Sequence, residues 1–358
     1  MRAFSSRFTC FLITLGAVPA LTAAQVGRIV VDTIHSRSLV NRLGDPEYAR
    51  VSVYLPAGYD RSAVTRYPVV YLLHGYDNTD VSSWIQPPRG LIGVPGIMDA
   101  LVASGAVKGM IVVMPDASTR LGGSFYVNSA TTGQWDDFIA GDLVRWVDAK
   151  YRTIARPTSR GLAGHSMGGY GALYLGMHHG GSVYGAMYAM SPCCTVPFTF
   201  DSTRDARTFD VIAAVPSTDA LQRMPPPLRA MVAIAAAFAP DSTRGPLFFS
   251  LLEERRNGQW AESAGVASRY AAHIPLTMIP VYRSNLLAMR AVQIEIGTED
   301  NLVDPREVMR LDSALTLAGV RHVFQTFPGD HVNRIGVRLR DAVFPFFSQT
   351  LAFEVPKQ

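Results

Sequence analysis

Five consecutive residues, Gly164-His165-Ser166-Met167-Gly168, set a serine between two glycines, each two positions away. A serine hydroxyl is a poor nucleophile at neutral pH. Its use in chemistry needs a base to take the proton and donors to stabilise the oxyanion that forms. The Gly-x-Ser-x-Gly pattern suits a sharp turn from strand to helix that presents the serine Oγ, where side chains at the flanking positions would hold strand and helix apart. Gly169 and Gly171 follow in the same helical stretch, where each glycine costs about 1 kcal/mol relative to alanine. Close packing of helix on sheet gives them a reason, and the helix N-terminus would aim free N–H groups at charge developing beside Ser166.

The base and its acid should follow the serine in the chain. His273, His322 and His331 lie downstream at a useful distance. His273 falls where strand alternation has stopped, and His322 falls inside an alternating strand. His331 sits in the loop Pro328-Gly329-Asp330-His331 just past that strand, and is favoured because loops at strand ends hold reactive groups on a rigid scaffold. The preceding strand, 291–296, runs into Gly297-Thr298-Glu299-Asp300. Asp300 is favoured as the carboxylate that fixes the imidazole tautomer, with Glu299 and Asp304 as alternatives. The expected oxyanion donors are two backbone N–H groups: that of Met167, directly after the serine, and that of Tyr76, in the turn His74-Gly75-Tyr76 after strand 69–73. The chemistry implied is acyl transfer through a covalent serine ester.

Elements able to hold these groups recur along the chain. Strand-like runs at 28–34, 48–55, 69–73, 110–114, 159–163, 184–190, 291–296 and 322–327 alternate with helical patterns at 135–151, 167–179, 306–318 and 335–351. This alternation predicts an α/β domain over 25–358: an α/β-hydrolase fold with a mostly parallel central sheet flanked by helices. The later strands are continuous apolar runs, as strands covered on both faces are. Between 195 and 290 the alternation gives way to Pro225-Pro226-Pro227, an alanine-rich stretch and scattered aromatics. That segment is read as a helical cap insertion able to wall a cleft.

Residues 1–24 place Arg2 and Arg7 before an apolar run that ends in Thr22-Ala23-Ala24, the order of a secretory signal peptide cut near Ala24. A secreted or periplasmic protein is expected. Removing the two arginines takes the formal charge from +4 to about +2, too small a balance to suggest a nucleic-acid partner. The longest later apolar run, 231–239, is far short of the ~18 residues of a membrane span. Only Cys193 and Cys194 remain after cleavage, so no disulfide framework is expected, and the two are read as buried thiols. The sequence has no phosphate loop and no metal-ligand spacing, so neither cofactor nor metal is expected.

Taken together, Tyr71-Leu72-Leu73-His74-Gly75, Val112-Val113-Met114-Pro115-Asp116, the run 161–171, Gly297-Thr298-Glu299-Asp300 and Gly329-Asp330-His331 resemble the esterase family that includes esterase D, bacterial feruloyl esterases, enterochelin esterases and mycolyltransferases. The likeness runs from about Arg50 to Ala352. It implies a Ser166, Asp300, His331 triad with Tyr76 and Met167 as oxyanion donors, and a small-molecule or carbohydrate-linked ester as substrate. Trp84, Tyr126 and Trp135 fall in segments that resemble the family's substrate-side loops; with His165 they are the candidate substrate contacts. The chain departs from the family in the length of 195–290 and in Val332-Asn333-Arg334 after His331, so the substrate is not carried over. The leading expectation is a hydrolase of acyl or feruloyl esters on carbohydrate. The rivals are a mycolyltransferase-like acyltransferase to a sugar hydroxyl and a non-catalytic carbohydrate-binding protein of the same fold.

Overall fold

Four strands in which every residue is buried stand at the centre of the molecule: β3 (Val69–Leu73), β4 (Ile111–Pro115), β5 (Arg160–His165) and β6 (Ala186–Met190). Apart from Arg160 and His165 at the two ends of β5, their runs are largely apolar because helices cover both faces of the sheet. The computed structural model describes residues 26–88, 92–199 and 202–354; the leader expected over 1–24 lies outside them. Adding β1 (Arg28–His35), β2 (Tyr48–Leu55), β7 (Ala291–Gly297) and β8 (Val323–Phe327) gives an eight-stranded sheet in the order β1-β2-β4-β3-β5-β6-β7-β8. β2 is antiparallel to both neighbours, while β4, β3, β5, β6, β7 and β8 pair in parallel.

Alternate residues of each strand feed two cores. Val69, Tyr71 and Leu73 face one, while Val70 and Leu72 face the other. The second core is closed by α1 (Val94–Ala103) and the C-terminal helix, the first by helices from the remaining crossovers and the insertion. A continuous helical stretch over 135–150, α2, is interrupted by a π-turn at Phe138–Asp142. Next, α3 (Met167–His179) begins directly at Ser166 and is buried through Met177.

Within 195–290 the structure has α4 (Ser202–Ala213), α5 (Thr218–Gln222), α6 (Pro226–Phe238), α7 (Ala264–Ala271) and α8 (Pro275–Ala288). It also has a β-hairpin of Glu253–Arg256 and Gln259–Glu262 that a purely helical insertion does not include. Asn257 and Gly258 connect its strands with φ of 51° and 80°, the pair of positive values that a tight Asn-Gly hairpin turn requires. After β7 come α9 (Pro305–Leu317) and α10, a helical stretch over 335–350 with a π-turn at Leu339–Val343. His322 stands just before β8, not in it. Its ring bonds to Val320 O and to the Asp312 carboxylate, both 2.8 Å away.

Candidate active site

Strand β5 ends at His165 and α3 begins at Met167, which leaves Ser166 alone in the turn with φ 58° and ψ −117°. That conformation lies outside the wells an L-residue prefers and survives only where the surroundings enforce it. Contacts of the flanking glycines show the enforcement. A Cβ on Gly164 would lie 2.2 Å from Gly168 O, and one on Gly168 would lie 2.1 Å from Leu73 O. Ser166 N–H donates to Met190 O at 3.0 Å, and Ser166 O accepts from Tyr170 N at 2.9 Å, so the backbone is tied on both sides.

The loops after β7 and β8 come together through Glu299 N–H, which donates to Gly329 O at 3.0 Å. They bring Asp300 and His331 into contact, with His331 Nδ1–H donating to Asp300 Oδ2 at 2.8 Å. The other carboxylate oxygen accepts from the N–H groups of Val303 (2.9 Å) and Leu302 (3.0 Å). Burial alone would raise the Asp300 carboxyl, but the bonds from His331 and these amides outweigh it and hold the group below the ordinary aspartate range. With Nδ1 committed, His331 is left with Nε2 as a proton acceptor.

His165 couples this pair to the serine turn. Its Nε2–H donates to His331 O at 2.7 Å, and the two rings sit 4.7 Å apart. Burial, then the neighbouring His331, pushes the His165 imidazole down to about 3, so it is uncharged at neutral pH. Among the described residues neither Ser166 Oγ nor His331 Nε2 makes a hydrogen bond. Hydrogen bonds of such pairs are often long or poorly aligned without substrate and tighten in its complex.

Two backbone donors are likewise uncommitted. Among the described residues the N–H groups of Tyr76 and Met167 have no acceptor. The turn carrying Tyr76 is pressed against the serine, since a Cβ on Gly75 would lie 3.5 Å from Ser166 Cβ. Fully buried His74 shapes that turn: Nδ1–H donates to Gly75 O and Nε2 accepts from Ala117 N–H, both at 2.8 Å. On its far side Tyr76 OH donates to Leu121 O at 2.7 Å, and Asp77 N–H donates to Gly122 O at 2.9 Å. Asp77 has φ 59° and is gripped from the insertion by Arg229 of α6, with Nη2 2.7 Å from Oδ2. Gln222 at the end of α5 adds a bond to Arg120 O at 2.6 Å. The insertion is thus fastened to the loop that carries Tyr76, one of the two expected oxyanion donors.

A family model described as "Putative esterase" matches residues 46–334, most of the chain. The chain belongs to the Esterase family. Two curated relatives are the "Endo-1,4-beta-xylanase/feruloyl esterase" of Xylanibacter ruminicola, 35% identical over 33% of this chain and 16% of its own length, and "Esterase Rv1288" of Mycobacterium tuberculosis, 37% identical over 36% and 26%. The chain therefore spans only 16% and 26% of the length of these relatives. Among solved structures, a "ferulic acid esterase" is similar with a TM-score of 0.62 and 22% identity, covering 91% of this chain and all of that one. The fluorophosphonate-binding serine hydrolase FphF of Staphylococcus aureus follows at 0.56 and 15%, covering 91% and 99%. At these identities both establish the α/β-hydrolase fold.

In this Esterase-family chain the expected substrate contacts need correction. Trp84 is buried in the second core beside α1, on the face of the sheet that α1 and α10 cover. Tyr126 is fully buried, and its OH donates to His74 O at 2.9 Å, so it braces the turn His74-Gly75-Tyr76 from inside. Trp135 is buried at the start of α2 with Nε1–H on Thr132 O at 2.8 Å. His165, also buried, holds the His331 loop through its ring Nε2–H. The alternatives Glu299 and Asp304 do not meet His331; Asp304 instead caps α9 by accepting from Arg306 N–H.

Asp136, His178 and His179 form a group of metal-ligating composition, with ligand atoms within 4.8 Å of one another. Here the two imidazoles already donate to the two Asp136 oxygens. Adjacent histidines were visible in the sequence, but Asp136 lies 42 residues before His178 and its part in the cluster left no spacing signal.

Proposed function

We propose that this chain is a secreted serine carboxylic-ester hydrolase that works through an acyl-enzyme. Ser166 Oγ attacks the ester carbonyl carbon while His331 Nε2 takes its proton, and Asp300 stabilises the imidazolium so formed. The oxyanion is met by the N–H groups of Tyr76 and Met167, each such donor contributing about 3 kcal/mol to transition-state stabilisation. His331 then protonates the departing alcohol. A water molecule, deprotonated by the same imidazole, attacks the acyl carbon and frees the serine.

The observation that carries this reading is the set of four unfilled hydrogen-bonding groups around one strained serine: Ser166 Oγ, His331 Nε2 and the two N–H groups, with Asp300 already on His331 Nδ1. For substrate we favour acyl or feruloyl esters of carbohydrate, with the names of the relatives and similar structures as support. Secretion rests on the Arg2 and Arg7, apolar run and small-residue order of the first 24 residues.

Hydrolysis of p-nitrophenyl acyl esters and methyl ferulate, measured beside Ser166→Ala, tests the reading. Turnover lost in that variant is the expected result. Silence across the panel from folded protein that also resists a fluorophosphonate would overturn it.

A further inference from the structure

We propose that Cys193 and Cys194 form a redox-convertible vicinal dithiol whose closure to a disulfide shifts the turn supporting Ser166. Side chains of neighbouring residues in a strand point to opposite faces and do not meet. Here the chain leaves β6 and bends, with Ser191 at φ 40° and Cys194 at φ 56°. The bend brings the sulfurs to 3.3 Å, Cys194 Sγ–H donating to Cys193 Sγ. Both residues are half-buried, within reach of a small oxidant.

The pair touches the nucleophile turn through its backbone. Cys193 N–H points at Ser166 O at 3.4 Å, and a Cβ on Gly169 would lie 3.1 Å from Pro192 Cα. One residue beyond the pair, Thr195 O accepts from Leu276 N–H in α8 at 3.0 Å. The segment therefore links the serine turn to the cap. An S–S bond needs about 2.05 Å, and for neighbouring residues that distance is reached by rotating the peptide between them. The rotation turns the Cys193 carbonyl and the Cys194 N–H, and the accompanying change at the Cys193 Cα disturbs the adjoining Cys193 N–H that meets Ser166 O.

The step uses a small-molecule disulfide as oxidant. The Cys193 thiolate attacks one of its sulfurs, forming a mixed disulfide and expelling one thiolate. Cys194 then loses its proton and attacks Cys193 Sγ, expelling the second. The cysteines give up two electrons and two protons, and the oxidant leaves as two thiols. The hydrogen bond to Cys193, and then burial, push the Cys194 thiol up, which makes Cys193 the attacking sulfur.

The effect on turnover rests on the esterase reading, whereas formation of the bond does not. Full-length protein is treated with oxidised glutathione, alkylated with iodoacetamide and digested with trypsin. Arg160 and Arg204 bound a peptide, 161–204, that holds both cysteines and no other. The expected result is loss of both alkyl groups together, a peptide lighter by two hydrogens, and p-nitrophenyl acetate turnover lower by about tenfold. Dithiothreitol restores both, and Cys194→Ser turns over without responding. A peptide that stays doubly alkylated or holds glutathione overturns the pair, and a disulfide with unchanged turnover overturns the coupling. Reduced protein with no turnover would count against the esterase reading alone, because the mass change is read without it.

Discussion

Helix α3 has an aspartate–histidine cluster at each end, and the two differ in what stands beside them. At its C-terminal end His178 and His179 both donate to Asp136, occupying both carboxylate oxygens. The His178 ring is packed between Tyr174, 4.2 Å away, and Tyr282, 4.5 Å away. Among the described residues no serine or cysteine side chain bonds to the Asp136 carboxylate or to either imidazole ring. At its N-terminal end Asp300 holds one imidazole and two amides, and that imidazole keeps its outer nitrogen free beside Ser166 and two unclaimed N–H groups. The pairing chemistry is shared, so an Asp–His bond by itself identifies no active site. Among the described residues each imidazole at either end keeps one nitrogen without a hydrogen bond; a serine in a strained turn and two unclaimed N–H groups stand only with the pair at the N-terminal end.

The comparison breaks most sharply on removal of the reacting groups. Ser166→Ala and His331→Ala should each lower ester turnover by about 10⁶-fold, as removal of either member of such a unit does, with unfolding midpoints little changed; His179→Ala should keep most of the turnover. Asp300→Asn should cost about 10⁴-fold by spoiling the imidazole tautomer, measured as kcat on the same ester. Asp136→Asn should cost less than tenfold, and an equal loss in both variants would refute the distinction drawn between the two clusters. In denaturant unfolding the order reverses. Asp136→Ala strands two imidazole donors and should lose about 2–3 kcal/mol, more than Asp300→Asn loses.

The smallest expected effect is on acid stability. Burial raises the Asp136 carboxyl, but the bonds from His178 and His179 outweigh it and hold the group below the ordinary range, as His331 and two amides do for Asp300. A carboxyl lower in the folded than in the unfolded protein binds fewer protons when folded. Its contribution is complete above the unfolded value, about 4, and is lost as pH falls through the folded one. Unfolding free energy should therefore drop on acidification below about pH 4, less steeply in Asp136→Asn; a drop confined to higher pH would contradict this origin.

Much of the framework was legible because its signals are local. The central strands are apolar runs whose length and bounding turns agree with the structure to within a residue or two, and the glycines around Ser166 sit where only glycine fits. Asp300 and His331 could be read from their places past strand ends. What escaped depends on partners distant in the chain. His165 meets the carbonyl of His331, 166 residues on, and Arg229 meets Asp77 across 152. Trp84, Tyr126 and Trp135 were misplaced because an aromatic ring in a loop carries the same sequence signal in a core as in a cleft. The hairpin around Asn257-Gly258 was missed because Glu253-Glu254-Arg255-Arg256 lacks the apolar alternation of a strand, although its turn dipeptide was in view.

The grip of Arg229 on Asp77 has a consequence for inheritance. A recombinant that exchanges residues 195–290 for another insertion would receive Asp77 in its φ 59° conformation without the guanidinium that holds it there, one residue from an oxyanion donor. The insertion and the turn at Tyr76 are then not separable cassettes: a lineage, or a protein engineer, that trades one should rewrite position 77 in the same step. Asp77→Gly is the simplest rewrite, since glycine takes that backbone shape without a partner.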